Sequence, residues 1–203
     1  TFHPQRVAEW CEVILRKHGP IPLWMQVRSD WVVSCYQKHR DLWALICRAG
    51  LTWASVGYES GSQRMLDYLN KKTTVMENIE AGRILDEAGV NSFGNFLWGL
   101  PTETNAEMDE TVNLVAQIRP GYLSGSIYCN FPGTDLDRQC RSDGLISPGG
   151  VYDRSHLPWQ MTIRGVDYNH AFACRKNASG FGNYLRMPKA LSEDRKRDLV
   201  ATA

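Results

Sequence analysis

Four short apolar runs end near residues 28, 58, 98 and 129, and each is followed by a segment with helical spacing. This strand–helix alternation, repeated at roughly 30 to 40 residues, leaves a chain few folds to choose from. Strands that recur in this way pair in parallel through right-handed crossovers, with helices laid over the sheet. The expected class is α/β, built from consecutive parallel βα units. In such folds ligands bind beyond the carboxyl ends of the strands. The residues that close the strands are therefore the first place to look for function.

In chain order, residues 2–18 read as a helix with Val7, Trp10, Cys11 and Ile14 on one apolar stripe, Pro4 in the first turn and Gly19 at the end. Residues 23–27 read as a strand ending at Arg28. A helix is expected from about 39 to 49, with Leu42, Leu45, Ile46 and Ala49 on one face and Gly50 as its stop. Residues 53–58 form a second strand that ends on Glu59, then Ser60-Gly61-Ser62, with helical spacing from Arg64. Thr74 and Glu77 stand at capping-box spacing. The helix they open runs to about Ala88, burying Ala81, Ile84, Leu85 and Ala88. A third strand, 92–98, precedes Gly99-Leu100-Pro101. The helix 107–118 turns Met108, Val112, Val115 and Ile118 inward, and Pro120 breaks it. A fourth strand, 122–130, leads through Phe131-Pro132-Gly133-Thr134 to a short helix, 136–141.

Pro148-Gly149-Gly150 reads as a loop at a boundary, so the chain divides into 1–146 and a carboxyl-terminal extension, 147–203, of irregular structure. Within the extension, 159–163 reads as a strand and Ser179-Gly180-Phe181-Gly182 as flexible. Ser192-Glu193-Asp194 caps a last helix, whose Arg195-Lys196-Arg197 reads as a solvated face.

Composition narrows the partners. A net charge of +1 gives no general attraction to nucleic acid or membrane. No run of about eighteen apolar residues exists to span a bilayer. The expectation is a cytoplasmic protein. Six cysteines stand at 11, 35, 47, 129, 140 and 174, none in CxxC or CxxxCxxC spacing, and are expected to be reduced and mostly buried. GxGxxG, GxxxxGK and HExxH are absent, as is a Ser-His-Asp elbow, which sets aside phosphate-loop, zincin and hydrolase chemistry. What remains is a set of polar strand-end residues: Arg28, Glu59, Asn95 and Asn130.

The run Gly57-Tyr58-Glu59-Ser60-Gly61-Ser62-Gln63-Arg64-Met65-Leu66, with Lys71 and Thr73 after it, resembles the fourth-strand region of radical SAM enzymes. The similarity is closest to the branch that often carries an upstream cobalamin-binding domain. Asn95-Phe96-Leu97-Trp98-Gly99-Leu100-Pro101-Thr102-Glu103-Thr104 is similar to that branch's fifth-strand GLPGET motif, with Thr102 where the family has glycine. Residues 128–134, ending Phe-Pro-Gly-Thr, resemble its sixth-strand ending, and Gln26-Val27-Arg28-Ser29-Asp30 its third. Four motifs in order, over about residues 1–146, make the resemblance specific.

The resemblance implies strands three to six of a partial (βα)6 barrel and an enzyme that uses S-adenosylmethionine. A 4Fe-4S cluster held by a CxxxCxxC segment binds and reduces that cofactor, which yields a 5′-deoxyadenosyl radical. By position, Glu59 and Asn95 would hold the ribose hydroxyls, and Lys71 would face the methionine carboxylate. Leu97 and the Cys129 backbone would line the adenine, with Arg28 and Ser60 near the methionyl end. The cluster ligands, the first two strands and any cobalamin domain would lie outside this chain. The first helix has no strand before it, so the barrel is expected to be cut at its amino end. A missing segment or another chain would then cover the open sheet edge. The substrate, a small molecule or otherwise, is not readable.

Plainer readings stand beside these. Glu59 also suits a helix start, where acids are favoured. Lys71 could be a solvated lysine, Asn95 a turn residue, Cys129 a small buried residue and Arg28 an ion-pair partner. The rival for the whole chain is a truncated, catalytically inactive α/β binding or scaffold module.

Overall fold

The computed structural model describes residues 3–146 and 163–185. Its elements run α1 (Pro4–His18), β1 (Leu23–Val27), α2 (Ser29–Lys38), α3 (Arg40–Ala49), β2 (Leu51–Glu59) and α4 (Gln63–Tyr68), then α5 (Val75–Glu87), β3 (Asn91–Trp98), α6 (Asn105–Ile118), β4 (Tyr122–Ile127), α7 (Asp135–Ser142) and α8 (Tyr168–Leu185). The four strands form one sheet in the order β1-β2-β3-β4, every pair parallel. This is the expected α/β alternation, and it places the four strand ends along one edge.

Because side chains alternate across a strand, the sheet has two unlike faces. Ala54, Val56 and Tyr58 of β2, Phe96 and Trp98 of β3, and Leu123 and Ile127 of β4 are buried beneath the helices. The other face carries Trp53, Ser55, Gly57 and Glu59 of β2 with Phe93, Asn95 and Leu97 of β3, all half-buried. Toward the amino ends of the strands this second face is aromatic. Trp24 stacks on Trp53 at 5.8 Å and tilts against Phe93 at 5.4 Å, and Phe93 stacks on Tyr122 at 4.5 Å. Trp24 is nonetheless 59% exposed, a large ring on the edge strand β1. Toward the carboxyl ends the same face turns polar.

Several expectations are corrected. α2 reads poorly as a helix because Val32, Val33, Trp31 and Tyr36 have low helix propensity. Packing decides it: Ser29, Val32 and Cys35 are buried, and Ser29 Oγ donates to Asn78 Oδ1 of α5 at 2.5 Å. In α1 only Cys11 and Ile14 are buried, and Trp10 is 51% exposed. α3 buries Ile46 and Ala49 as expected and Trp43 besides, while Leu42 and Leu45 are only partly buried at the margin of that face. Ala88 caps α5 and is exposed, at the turn that leads through Gly89 into β3. Thr104, not Glu107, starts α6, through a capping box with Glu107 as its third helical residue. β4 is three residues shorter than expected and stops at Ile127.

The extension is not wholly irregular. Residues 179–182 lie inside α8, which packs on α6 and β4 through Ala171, Cys174 and Ala178. Contact along that face carries the helix past residues that alone would favour a loop. The readings at 148–150 and 192–197, and all of 159–163 except Ile163, lie outside the described residues; Ile163 bridges Ile146. Among the described residues no helix is long and apolar enough to cross a membrane.

Candidate functional site at the carboxyl ends of the strands

β2 ends irregularly. Its register against β3 shifts between Gly57 and Glu59, and Glu59 has φ 63°. Ser60 N donates to the Tyr58 carbonyl at 2.9 Å, closing a three-residue turn around Glu59. A left-handed conformation at a residue with a Cβ costs about 1–2 kcal/mol. The kink sets the Glu59 carboxylate on the polar, open face of the sheet.

There it meets Lys71, whose Nζ donates to Glu59 Oε1 at 2.7 Å. Both side chains are about one-fifth to one-quarter exposed, at 19% and 24%. Gly57 makes room for the pair. A Cβ at that position would lie 2.5 Å from Glu59 Oε1 and 3.0 Å from Lys71 Nζ.

Arg28 braces the same pair from behind. Its Nη2 donates to the Lys71 carbonyl at 2.7 Å and to the Lys72 carbonyl at 3.4 Å. The same guanidinium forks onto Asp30, with Nε at 2.9 Å and Nη2 at 3.2 Å from the two carboxylate oxygens. The ion pair foreseen as the plain reading of Arg28 is present, and it anchors the loop that delivers Lys71. Asn70 and Lys72 in that loop have φ 50° and 54°, a conformation that such anchoring sustains.

Asn95 lies opposite Gly57 in the β2–β3 register. Its Nδ2 donates to Ser55 Oγ at 3.2 Å and to the Val56 carbonyl at 3.3 Å, which leaves Oδ1 as the acceptor it can offer. Leu97 follows on the same face and packs against the cluster that holds Met65, Leu100 and Tyr128. Cys129 lies just past β4, half-buried. Ser60 is set apart from these. It is fully buried, with Oγ 3.2 Å from Thr111 Oγ1 of α6 and accepting from Ser62 N at 3.1 Å. Asn130 is likewise buried, bonded to Tyr128 and Asp137.

A second network behind the strand ends was not foreseen. Arg64 forks onto Glu107, Nε to Oε1 at 2.7 Å and Nη2 to Oε2 at 2.6 Å. Ser62 Oγ and Thr104 N also donate to that carboxylate, at 3.0 and 2.9 Å. Arg64, joined by these donors, holds Glu107 down to about 2, well below the usual carboxylate range. Arg64 Nη2 also reaches the Thr102 carbonyl at 2.8 Å, and Nη1 reaches Thr102 Oγ1 at 3.2 Å. Thr102 has φ 65°, so a β-branched residue is held where glycine is favoured. Next to it Glu103 is buried, and Oε2 accepts from Gly99 N at 2.7 Å and Leu100 N at 2.9 Å. Burial pushes Glu103 up to about 7 despite those two donors. The Thr-x-x-Glu spacing of Thr104 and Glu107 was the readable signal; the partnership of Arg64 with Glu107, 43 residues away, had none.

The chain is similar in sequence and in fold to known proteins. The family described as the radical SAM superfamily matches residues 3–115. The anaerobic magnesium-protoporphyrin IX monomethyl ester cyclase of Cereibacter sphaeroides is 30% identical over 141 residues, 70% of this chain and 23% of its own length. A tRNA-2-methylthio-N(6)-dimethylallyladenosine synthase of Roseobacter denitrificans is 28% identical over 121 residues, 57% of this chain and 25% of its own. Among solved structures, the apo form of the cobalamin-dependent S-adenosylmethionine radical enzyme OxsB superposes with a TM-score of 0.70 at 18% identity, over 98% of this chain and 35% of its own. The radical S-adenosylmethionine methyltransferase TsrM of Kitasatospora setae superposes at 0.55 and 16% identity, over 72% of this chain and 27% of its own. At such identities the structural likeness shows the fold. The chain spans about a quarter of the length of the curated relatives it matches.

Proposed function

This chain belongs to the radical SAM superfamily, and from that we propose that it is the carboxyl-terminal part of a radical SAM enzyme of the cobalamin-associated type, contributing half of the S-adenosylmethionine pocket. The observation that carries the reading is the Glu59–Lys71 pair, 2.7 Å apart on the open face and beside Asn95.

The residues suit the cofactor's groups. Glu59 has one oxygen committed to Lys71, and Oε2 can accept from a ribose hydroxyl. Asn95 Oδ1 can accept from the other. An ammonium has three donors, so Lys71 can hold a carboxylate while keeping Glu59. Leu97 and the Cys129 backbone are proposed to line the adenine. Arg28 acts through Lys71, whose carbonyl it grips. Ser60 acts through its bond to α6, as a residue that positions the turn. If S-adenosylmethionine were held here by Glu59, Asn95 and Lys71 against an iron–sulfur cluster borne elsewhere in the protein, it would supply radical or methyl-transfer chemistry.

The chain's own cysteines do not fit that cluster. Cys11, Cys35, Cys140 and Cys174 are buried in separate helices, Cys47 is in α3 and Cys129 follows β4. Among the described residues no three cysteines converge. The cluster ligands, and a cobalamin domain, are therefore proposed to lie elsewhere in a longer protein. The coding sequence upstream of Thr1 tests this. A CxxxCxxC segment is expected, and anaerobic reconstitution of the extended protein with iron and sulfide should give one oxygen-sensitive cluster. An upstream segment without the three cysteines would favour a binding or scaffold module instead.

A further inference from the structure

α8 covers the side of the sheet opposite Glu59. It packs on α6 and on β4, where Arg175 Nε donates to the Gly125 carbonyl at 2.8 Å. At the α6–α8 seam three side chains of different chemistry converge. Asp109 Oδ1 of α6 lies 2.9 Å from His170 Nε2 and 3.4 Å from Cys174 Sγ, both of α8. All three donor atoms lie within 4.8 Å of one another.

The arrangement is ill suited to nucleophilic catalysis. The thiol donates to the carboxylate and the imidazole also faces that carboxylate, so the imidazole is not placed to take the thiol proton. Glu103 nearby is 4% exposed, and among the described residues its Oε1 has no hydrogen-bond partner. A carboxylate oxygen, an imidazole nitrogen and a thiol sulfur that face one another at this seam are an arrangement that a metal ion would complete.

We propose that Asp109, His170 and Cys174 form a zinc-type divalent metal site between α6 and α8, with water in the fourth position. One sulfur, one nitrogen and one oxygen ligand suit an ion of borderline softness. Tetrahedral bonds of about 2.0–2.3 Å separate ligand atoms by about 3.3–3.7 Å, so the Asp–His and Asp–Cys separations need to change by only about half an ångström. His170 and Cys174 stand one helical turn apart and share a face of α8. The site is braced before metal arrives. Asp167 Oδ1 accepts from His170 N at 3.0 Å and Asp167 Oδ2 from Asn105 Nδ2 at 3.0 Å. On the other side, Trp98 Nε1 donates to the Met108 carbonyl at 3.2 Å. Asp109 is 59% exposed, which gives an ion its way in. Binding replaces the Cys174 thiol proton with the metal–sulfur bond and releases that proton to solvent. The His170 proton moves to Nδ1 if it was on Nε2. No oxidant or reductant takes part. The ion would staple α8 to the barrel from the face remote from the cofactor.

The test is titration of the anaerobically purified, chelator-stripped 203-residue chain with cobalt(II) and then zinc(II). One equivalent should bind, with a tetrahedral cobalt spectrum and a thiolate-to-metal charge-transfer band. Cys174→Ser should abolish that band. Asp109→Asn, exposed and nearly isosteric, should keep the fold and weaken zinc binding by more than about ten-fold, since even residues that only orient ligands have effects of that size. His170→Gln should do the same, and Cys47→Ala on α3 should change nothing. Binding unchanged by Asp109→Asn, or absent from the unmodified chain, would overturn the site, leaving only a hydrogen-bonded seam.

Discussion

Lys71 reaches back across twelve residues to place its Nζ 2.7 Å from Glu59 Oε1, at the carboxyl edge of the sheet. Three local features hold the two groups together. The register shift and left-handed φ turn Glu59 onto the open face. Arg28 grips the carbonyls of Lys71 and Lys72. Gly57 leaves the space that a Cβ would take. A cation and an acceptor fixed side by side in this way leave less ordering for the proposed carboxylate and ribose contacts to accomplish.

Two glycines of the same motif should therefore behave differently. At Gly57 an added Cβ meets only the ends of Glu59 and Lys71, which can swing aside. At Gly61 it would lie 2.2 Å from the Glu110 carbonyl oxygen and 2.7 Å from Thr111 N, both α6 backbone. Gly57→Ala should change stability by less than about 1 kcal/mol, while weakening S-adenosylmethionine binding in the extended protein. Gly61→Ala should lose about 3 kcal/mol by overpacking. Urea denaturation of both variants checks the contrast; equal losses would contradict it.

Glu103 should make stability depend on pH in an unusual direction. Its folded value is raised from 4.5 to about 7 by burial. A carboxyl raised on folding contributes stability that is full below its unfolded value and is lost as pH rises to the folded one. Stability should therefore fall between about pH 4.5 and 7, by an amount on the order of 3 kcal/mol. Glu107, held down mainly by Arg64, acts oppositely: its contribution is present above 4.5 and fades as pH drops toward 2. Glu103→Gln should flatten the fall above pH 4.5 and leave the acid limb in place. Parallel curves for wild type and variant would refute the assignment.

Thr102 sits at φ 65°, where the family pattern has glycine. Thr102→Gly should raise stability by about 1 kcal/mol, because the left-handed cost disappears. The hydroxyl contact with Arg64 that is lost is exposed, and the backbone contact to the Thr102 carbonyl survives. Thermal denaturation measures the change, and a lower midpoint would count against the strain.

The sheet was legible because its signals are local and periodic. The Thr74–Glu77 capping box, Gly50 at φ 111° and the apolar run to Tyr58 each mark an element from neighbouring residues. α2 was not, since Val32 and Cys35 are helical only through what they pack against. Within the candidate site, Glu59, Lys71 and Asn95 could be picked out by motif. What the motif could not tell was where a side chain points. Ser60 stands next to Glu59, yet a single kinked residue sends its hydroxyl to Thr111 on the helix side. The Arg64–Glu107 pair and the Asp109–His170–Cys174 cluster join residues 43 and more than 60 positions apart, and no sequence spacing announces them.

The most direct measurement is the affinity for S-adenosylmethionine of the protein extended upstream of Thr1, reconstituted anaerobically, with Glu59→Ala, Asn95→Ala and Lys71→Ala compared with the unmodified form. Each substitution removes a hydrogen bond or a charge from one end of the pocket, and each should weaken binding by about 1 kcal/mol or more, roughly five-fold. If all three variants bind as the unmodified protein does, the carboxyl edge of this sheet does not hold the cofactor.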